Sequence, residues 1–303
     1  MIKEIQAKQL LSYSKGPDPW FGIQYTMNLY RGCPHQCIYC DSRSECYQIE
    51  NFADVLVKTN ALELLPKELA GKRVKGTIGT GSMNDPYSPV EKKYNLLGRA
   101  LKIISQFGFP VHVLTKSDLV VRDMDILQEI DQKTQALVTF TITTHDDNLG
   151  KKVEPGAPLV SARYAAMEKF ARRGLRTGIS LMPVLPFIED NWENIRQIVY
   201  RARDAGASYI IASFGMTQRK GQQEYYYRKL DELFPGIRQK HHNRFHNDYV
   251  CPANQAKQLC EQYEKLCQQV GIAIKVPIYH ALPPAKQLSF FDSNPHEANQ
   301  GEG

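Results

Sequence analysis

Short runs of β-branched and aliphatic residues alternate along the chain with longer stretches in which apolar positions recur every three or four residues. Runs of the first kind, Gln24–Tyr30, Lys75–Thr80, Val111–Thr115, Ala136–Thr143, Thr177–Met182 and Tyr209–Phe214, read as strands. Between and after them, 61–70, 91–107, 123–130, 159–173, 192–205, 221–234 and 253–270 read as helices; Leu97, Leu101 and Ile104 mark one core-facing stripe. Gly108, Gly174 and Gly206 each follow a last periodic residue and precede a strand, where a left-handed residue lets the chain reverse. About six βα units in succession predict an α/β fold, a partial (β/α)6 barrel of the TIM-like type.

Such a barrel presents its chemistry where strands end. The segments that follow the first five strands, from the cysteine-rich loop through GSMNDPYSPVE, TKS and TITTHDD to MPVLP, should therefore converge on one rim. Residues 1–20 read as an N-terminal extension, 21–282 as the barrel with its closing helix, and 283–303, rich in Pro, Asn and Gly, as a flexible tail.

Composition narrows the class. Of 303 residues 42% are hydrophobic, yet no apolar run is long enough to cross a bilayer, so no membrane partner is expected. The opening MIKEIQAKQLL lacks the apolar core of a secretory signal, and seven cysteines without export argue for a reducing compartment; the cytoplasm fits. A net charge of +6 with both signs interspersed implies only a weak preference for anions. The densest basic run, RQKHHNR at 238–244, reads as a solvated loop rich in exposed imidazole.

The loop RGCPHQCIYCDSRSEC sets Cys33, Cys37 and Cys40 at C-x3-C-x2-C spacing, with Cys46 beyond. Structural zinc takes four ligands, usually as two separated pairs, which this loop supplies poorly. A cubane iron–sulfur cluster takes one thiolate per iron, so three thiolates leave an iron open to a small-molecule ligand. A zinc-stabilised, non-catalytic nucleic-acid-binding protein is the alternative of another class.

The spacing, with Tyr39 before the last cysteine, resembles the signature of the radical S-adenosylmethionine (SAM) superfamily. YRGCPHQCIYC, TIGTGSMNDPYSPVEKKY, PVHVLTKSDLVVRDMDIL and EPGAPLVSARYAAMEKFARRG resemble, in order, the branch related to spore photoproduct lyase, over about residues 20–280. The resemblance implies a [4Fe-4S] cluster on Cys33, Cys37 and Cys40, SAM on the fourth iron, and a 5′-deoxyadenosyl radical that abstracts hydrogen from the substrate. It further implies a reductant such as flavodoxin or ferredoxin and a lyase-like reaction on nucleic acid of the DNA photolesion repair kind. The same chemistry on a peptide or small metabolite is the rival. Tyr39 matches a position near the adenine, Lys116 one near the SAM carboxylate, and Asn84 and Asp85 occupy a segment that in the superfamily receives the SAM amino group; Asn-Asp-Pro is equally a turn signal. The lyase returns hydrogen to its product from an extra cysteine in that segment. Here Met83 and Asn84 stand there, no cysteine lies between Cys46 and Cys251, and Tyr87 is the candidate donor alongside regenerated 5′-deoxyadenosine.

Thr139, Thr141 and Thr143 alternate on one strand face, from which Thr141 and Thr143 are candidates to reach the cofactor. His145, Asp146 and Asp147 follow on the rim as candidates for substrate contact, and Cys260 and Cys267, seven apart, share a helical face. In the tail, Gln287, Leu288, Ser289, Phe290 and Phe291 resemble the short peptide by which bacterial repair proteins dock on the DNA polymerase sliding clamp.

Overall fold

The computed structural model describes residues 1–49 and 51–280. Six parallel strands lie in chain order: β1 (Tyr25–Met27), β2 (Ile78–Thr80), β3 (Val111–Thr115), β4 (Ala136–Thr141), β5 (Thr177–Leu181) and β6 (Tyr209–Ala212). Leu11–Tyr13 adds an antiparallel strand outside β1, and among the described residues the sheet does not close on itself. The molecule is thus a partial TIM-like barrel, as the βα alternation predicts. The strands are buried almost throughout, with every residue of β5 inside, which is why they read as continuous apolar runs and not as alternating ones.

Helices α1 (Ala61–Ala70), α2 (Leu96–Gln106), α3 (Met124–Lys133), α4 (Val160–Arg172), α5 (Trp192–Asp204) and α6 (Ala256–Val270) surround the sheet, with α1 against α2, α2 against α3, and α5 against α6. Leu97, Leu101 and Ile104 of α2 are fully buried, each contributing roughly 1.5–3 kcal/mol, far more than any difference in helix propensity. The helix expected over 91–107 is broken at Asn95, which adopts a left-handed conformation at φ 47°. The cause is Glu91, which accepts from the backbone N–H groups of Leu96 and Leu97 (both 3.1 Å) and so caps α2 from the preceding turn.

The run 24–30 also departs from a single strand: β1 stops at Met27, and Tyr30–Arg31 joins a separate three-stranded sheet with Val55–Lys58 and Ile2–Ile5. Residues 1–20 are thereby tied to the barrel, further fixed by Glu68 of α1, which accepts from Leu10 N and Leu11 N at 2.7 and 2.9 Å. The basic run 238–244 is helical, within Ile237–Phe245, and not a loop. His241 is buried among Tyr226, Tyr227 and Phe245, which pushes its pKa down to about 4.

The barrel interior is filled from below. The Tyr209 ring occupies the space a side chain on β5 would need: a Cβ on Gly178 would lie 2.1 Å from it. His112 Nδ1 bonds Phe21 O (2.9 Å), its Nε2 bonds Thr139 Oγ1 (2.6 Å), and Thr139 Oγ1 bonds the Tyr209 hydroxyl (2.6 Å). Burial lowers the His112 pKa to about 4, so the ring is neutral. Its Nδ1–H then donates to the carbonyl, Nε2 accepts from Thr139, and Thr139 accepts from Tyr209.

Candidate active site

The open space lies at the C-terminal ends of the strands, and all six contribute to it. Cys33, His35, Cys37 and Cys40 after β1, Ser82, Asn84 and Asp85 after β2, Thr115 and Lys116 at the end of β3, and Thr141 at the end of β4 line one cavity of about 130 Å3. A second cavity of about 330 Å3 shares Cys40, Ser42 and Ser82 with it and is walled by Tyr39, Met182 and Pro183 after β5, and Ser213, Met216 and Thr217 after β6. The five rim segments expected from the sequence are present; the sixth, after β6, lines the cavity with Ser213, Met216 and Thr217, none of them a charge or cysteine that would have marked it.

Cys33 and Cys37 are buried and Cys40 half-buried. Burial pushes the Cys33 thiol up to about 12 and the Cys37 and Cys40 thiols upward as well, with Lys116 opposing the rise at the latter two. Unaided, these sulfurs keep their protons at neutral pH, and a bound metal cation is what would draw them off. Among the described residues no three His, Cys, Asp or Glu side chains are gathered around one point as a single ion requires. A polynuclear cluster, each sulfur on its own iron, asks for thiols spaced around one cavity.

Lys116 Nζ lies 3.9 Å from Glu154 Oε1 and 5.7 Å from the centre of the Tyr39 ring. Burial works against its charge, but the Cys37 sulfur and Glu154 outweigh this, and its pKa rises. Asp85 is committed to the fold: Oδ1 accepts from Tyr87 N (2.9 Å) and Thr115 Oγ1 (2.7 Å), and Oδ2 from Lys116 N (2.6 Å). It braces the turn after β2 against the end of β3, as the Asn-Asp-Pro turn signal suggests. Three of its acceptor positions thus serve the fold, while the residue still lines the cysteine cavity. Asn84 Nδ2 and His35 Nε2, in contrast, are buried at the cavity wall without a partner.

Thr141 and Thr143 part company. Thr141 lines the cysteine cavity, whereas β4 ends there and Thr143 donates to Glu189 Oε1 (2.7 Å) in a buried pair away from the lining. Tyr87 is not brought to the site: its ring is fully buried in the main core and its hydroxyl donates to Asp123 Oδ2 (3.0 Å), so it cannot serve as the hydrogen donor expected of it. Asp146 and Asp147 cap helices, accepting from Asn148 N (2.6 Å) and Ser161 N (2.9 Å), and His145 N donates to Asn194 (2.9 Å). Cys267 is packed in the core, Cys251 accepts from Gln218 Nε2 (2.7 Å), and Cys46 is exposed beside Arg219 (3.4 Å).

Two buried residues that contact the cavity lining escaped the sequence reading. Glu154 is fully buried; Arg163 and Lys116 override the effect of burial and hold its carboxyl below the usual range. Arg163 Nη2 contacts Glu154 Oε2 at 2.5 Å, and Tyr39 donates its hydroxyl to the same carboxylate. A signal existed: Arg163 sits on the apolar stripe of α4 with Val160, Tyr164 and Met167, a position that a charge takes only when paired inside.

The family model of the radical SAM superfamily matches residues 27–199, more than half of the chain and the whole of this site up to β5. The chain belongs to the radical SAM superfamily. An uncharacterised protein of Mycobacterium tuberculosis is 28% identical over 83% of this chain and 76% of its own length. One from Methanocaldococcus jannaschii is 33% identical over 62% of this chain and 70% of its own. Among solved structures, spore photoproduct lyase complexed with dinucleoside spore photoproduct superposes with a TM-score of 0.66 at 15% identity, over 90% of this chain and 81% of the lyase. The protein is thus a radical SAM enzyme with the fold of spore photoproduct lyase, and the family implies SAM and an iron–sulfur cluster. The residues present fit both: three thiols from one loop, a charged Lys116 and two unpartnered polar nitrogens face the same space. No helix among the described residues is long and apolar enough to cross a membrane.

Proposed function

We propose that this enzyme holds a [4Fe-4S] cluster on Cys33, Cys37 and Cys40, binds SAM beside it, and acts on a damaged base in nucleic acid in a lyase-like reaction. Held there, the cluster and SAM would supply the radical hydrogen-abstraction chemistry of the superfamily. The observation that carries the reading is the cysteine cavity, lined by three thiols and a protonated Lys116, which shares Cys40, Ser42 and Ser82 with a second cavity. The side chains around the cofactors bind and orient. Lys116 offers a fixed ammonium to a carboxylate, Tyr39 a ring beside the shared wall, and Thr141 a hydroxyl at the end of β4.

The second cavity favours a base over a charged metabolite. Its walls are Tyr39, Met182, Pro183 and Met216 with hydroxyls from Ser42, Ser82, Ser213 and Thr217, and its one carboxylate, Asp41, is already paired with Arg219 at 3.1 Å. Apolar faces edged with hydroxyls suit a planar, uncharged heterocycle, whereas an amino acid would call for a counter-charge. The lyase of the same fold takes a dinucleoside photoproduct, which supports the same substrate class. We place the enzyme in the cytoplasm with a flavodoxin- or ferredoxin-type reductant. The clamp-like peptide at 287–291 lies outside the described residues and stays a proposal, to be tested by pull-down with and without the tail.

Protein purified without oxygen should carry about four irons per chain, and the electron paramagnetic resonance (EPR) signal of the reduced cluster should change on addition of SAM. Cys37→Ser should lose both signals while the chain stays folded. Ultraviolet-damaged DNA should stimulate 5′-deoxyadenosine formation or SAM turnover where undamaged DNA and peptides do not. About one zinc per chain, or a cluster indifferent to SAM, would overturn the proposal; stimulation by peptide alone would redirect its substrate.

A further inference from the structure

We infer that Glu154 is a positioning residue of the active site, and that the segment Val153–Pro158 is a clasp that sets the spacing between the cysteine loop and Lys116. The inference rests on the reading of Cys33, Cys37 and Cys40 as cluster ligands and of Lys116 as a contact for SAM.

The clasp touches the cysteine loop at three places. Ile38 N donates to Val153 O (2.9 Å), Gly156 N donates to His35 O (2.8 Å), and the Tyr39 hydroxyl reaches Glu154. The approach at Gly156 is too close for any side chain, because a Cβ there would lie 2.2 Å from Pro34 O and 2.9 Å from His35 Cα. Behind the clasp stands Arg163, itself buried, whose guanidinium bonds Thr141 O (2.8 Å), Pro158 O (2.9 Å) and Glu154. One buried guanidinium therefore registers the end of β4, the clasp and the carboxylate that faces Lys116.

Charge explains why a carboxylate is needed. Arg163 and Lys116 bring two cations into a poorly solvated space, and Glu154 balances one of them. It also gives the Lys116 ammonium a fixed anchor. Without it the flexible lysine stem is drawn towards the cysteine sulfurs, and the ammonium no longer waits where a carboxylate would arrive. Glu154 acts on SAM only through Lys116 and Tyr39.

The test uses the full chain, reconstituted with iron and sulfide under anaerobic conditions. Its readouts are iron content, thermal midpoint and the SAM concentration that gives half of the EPR change. The pair variant Glu154→Gln with Arg163→Met strands no buried guanidinium; it should fold and load iron like the wild type but need about tenfold more SAM, the loss expected for one charge-assisted contact. Lys116→Met should show a similar loss, and the triple variant no further one, since both changes act on the same contact. Glu154→Asp, which keeps the charge, should lie closer to wild type. Gly156→Ala, which leaves every charge in place and only displaces the clasp, should also raise the SAM requirement and keeps the inference testable if the pair variant does not fold. SAM dependence unchanged in the pair variant and in Gly156→Ala, or losses that multiply in the triple variant, would sink the inference alone. A wild type without iron or without a response to SAM would sink the underlying reading as well.

Discussion

The two ends of this barrel are built on opposite rules. At the lower end His112, Thr139 and Tyr209 form a chain in which each donor meets an acceptor, and the Tyr209 ring fills the space over Gly178. At the upper end three thiols are raised in pKa by burial, Asn84 Nδ2 and His35 Nε2 find no partner, and a buried charge array is balanced only by contacts between distant segments. The lower end is finished by folding alone; the upper end is completed only by what binds there. Unsatisfied buried groups cost stability, so their concentration at one end marks where the chain has exchanged stability for chemistry.

Three measurements bear on that contrast. The largest effect is expected at Glu189, near the rim. Burial lifts its carboxyl from an ordinary 4.5 to about 8, against the bonds it accepts from Thr143 and Leu185 N. Between those values the folded chain keeps a proton that the unfolded chain has lost. Stability should thus be full below about pH 4.5, fall as pH rises towards 8, and level off beyond, the loss approaching about 5 kcal/mol. Glu189→Gln should remove this slope in urea titrations across that range; an unchanged slope would mean that the rim carries no such penalty.

Next in size, Gly178→Ala should cost about 3 kcal/mol by forcing the Tyr209 ring aside, while iron loading and the SAM response stay as in wild type. A fall in iron content with this variant would show that the two ends are coupled and break the comparison. The smallest effect belongs to Thr139→Val, which keeps the shape and strands His112 Nε2 and the Tyr209 hydroxyl without partners. A loss of about 2 kcal/mol in chemical denaturation is expected, and a neutral result would mean that the lower chain of bonds contributes no net stability.

Much of this molecule was legible in its sequence, for reasons that also explain what was not. Strands buried on both faces leave short apolar runs, and the six parallel strands of the seven-stranded sheet were found, the antiparallel Leu11–Tyr13 excepted, as were the helices with clear stripes such as Leu97, Leu101 and Ile104. What broke the reading was side-chain capping from outside an element: nothing in the run 91–107 announces that Glu91 will turn back on Leu96 and Leu97 and split the helix at Asn95. The strands Ile2–Ile5 and Val55–Lys58 were missed because they are short and their pairing joins segments far apart in the chain. At the site the division is the same. Cys33, Cys37 and Cys40 are read from spacing because they belong to one loop. Glu154 becomes part of the site only by meeting Tyr39 across 115 positions, a contact that periodicity cannot supply. Tyr87 failed for the converse reason: it is close to the site in sequence but turned into the core.

A barrel stoppered from beneath by Tyr209 and His112 keeps both cavities described above at its rim, where they share Cys40, Ser42 and Ser82. Substrate, cofactor and dioxygen would then meet at the same shared wall. Damage by air should accordingly be a hazard of the empty chain and recede as that space fills.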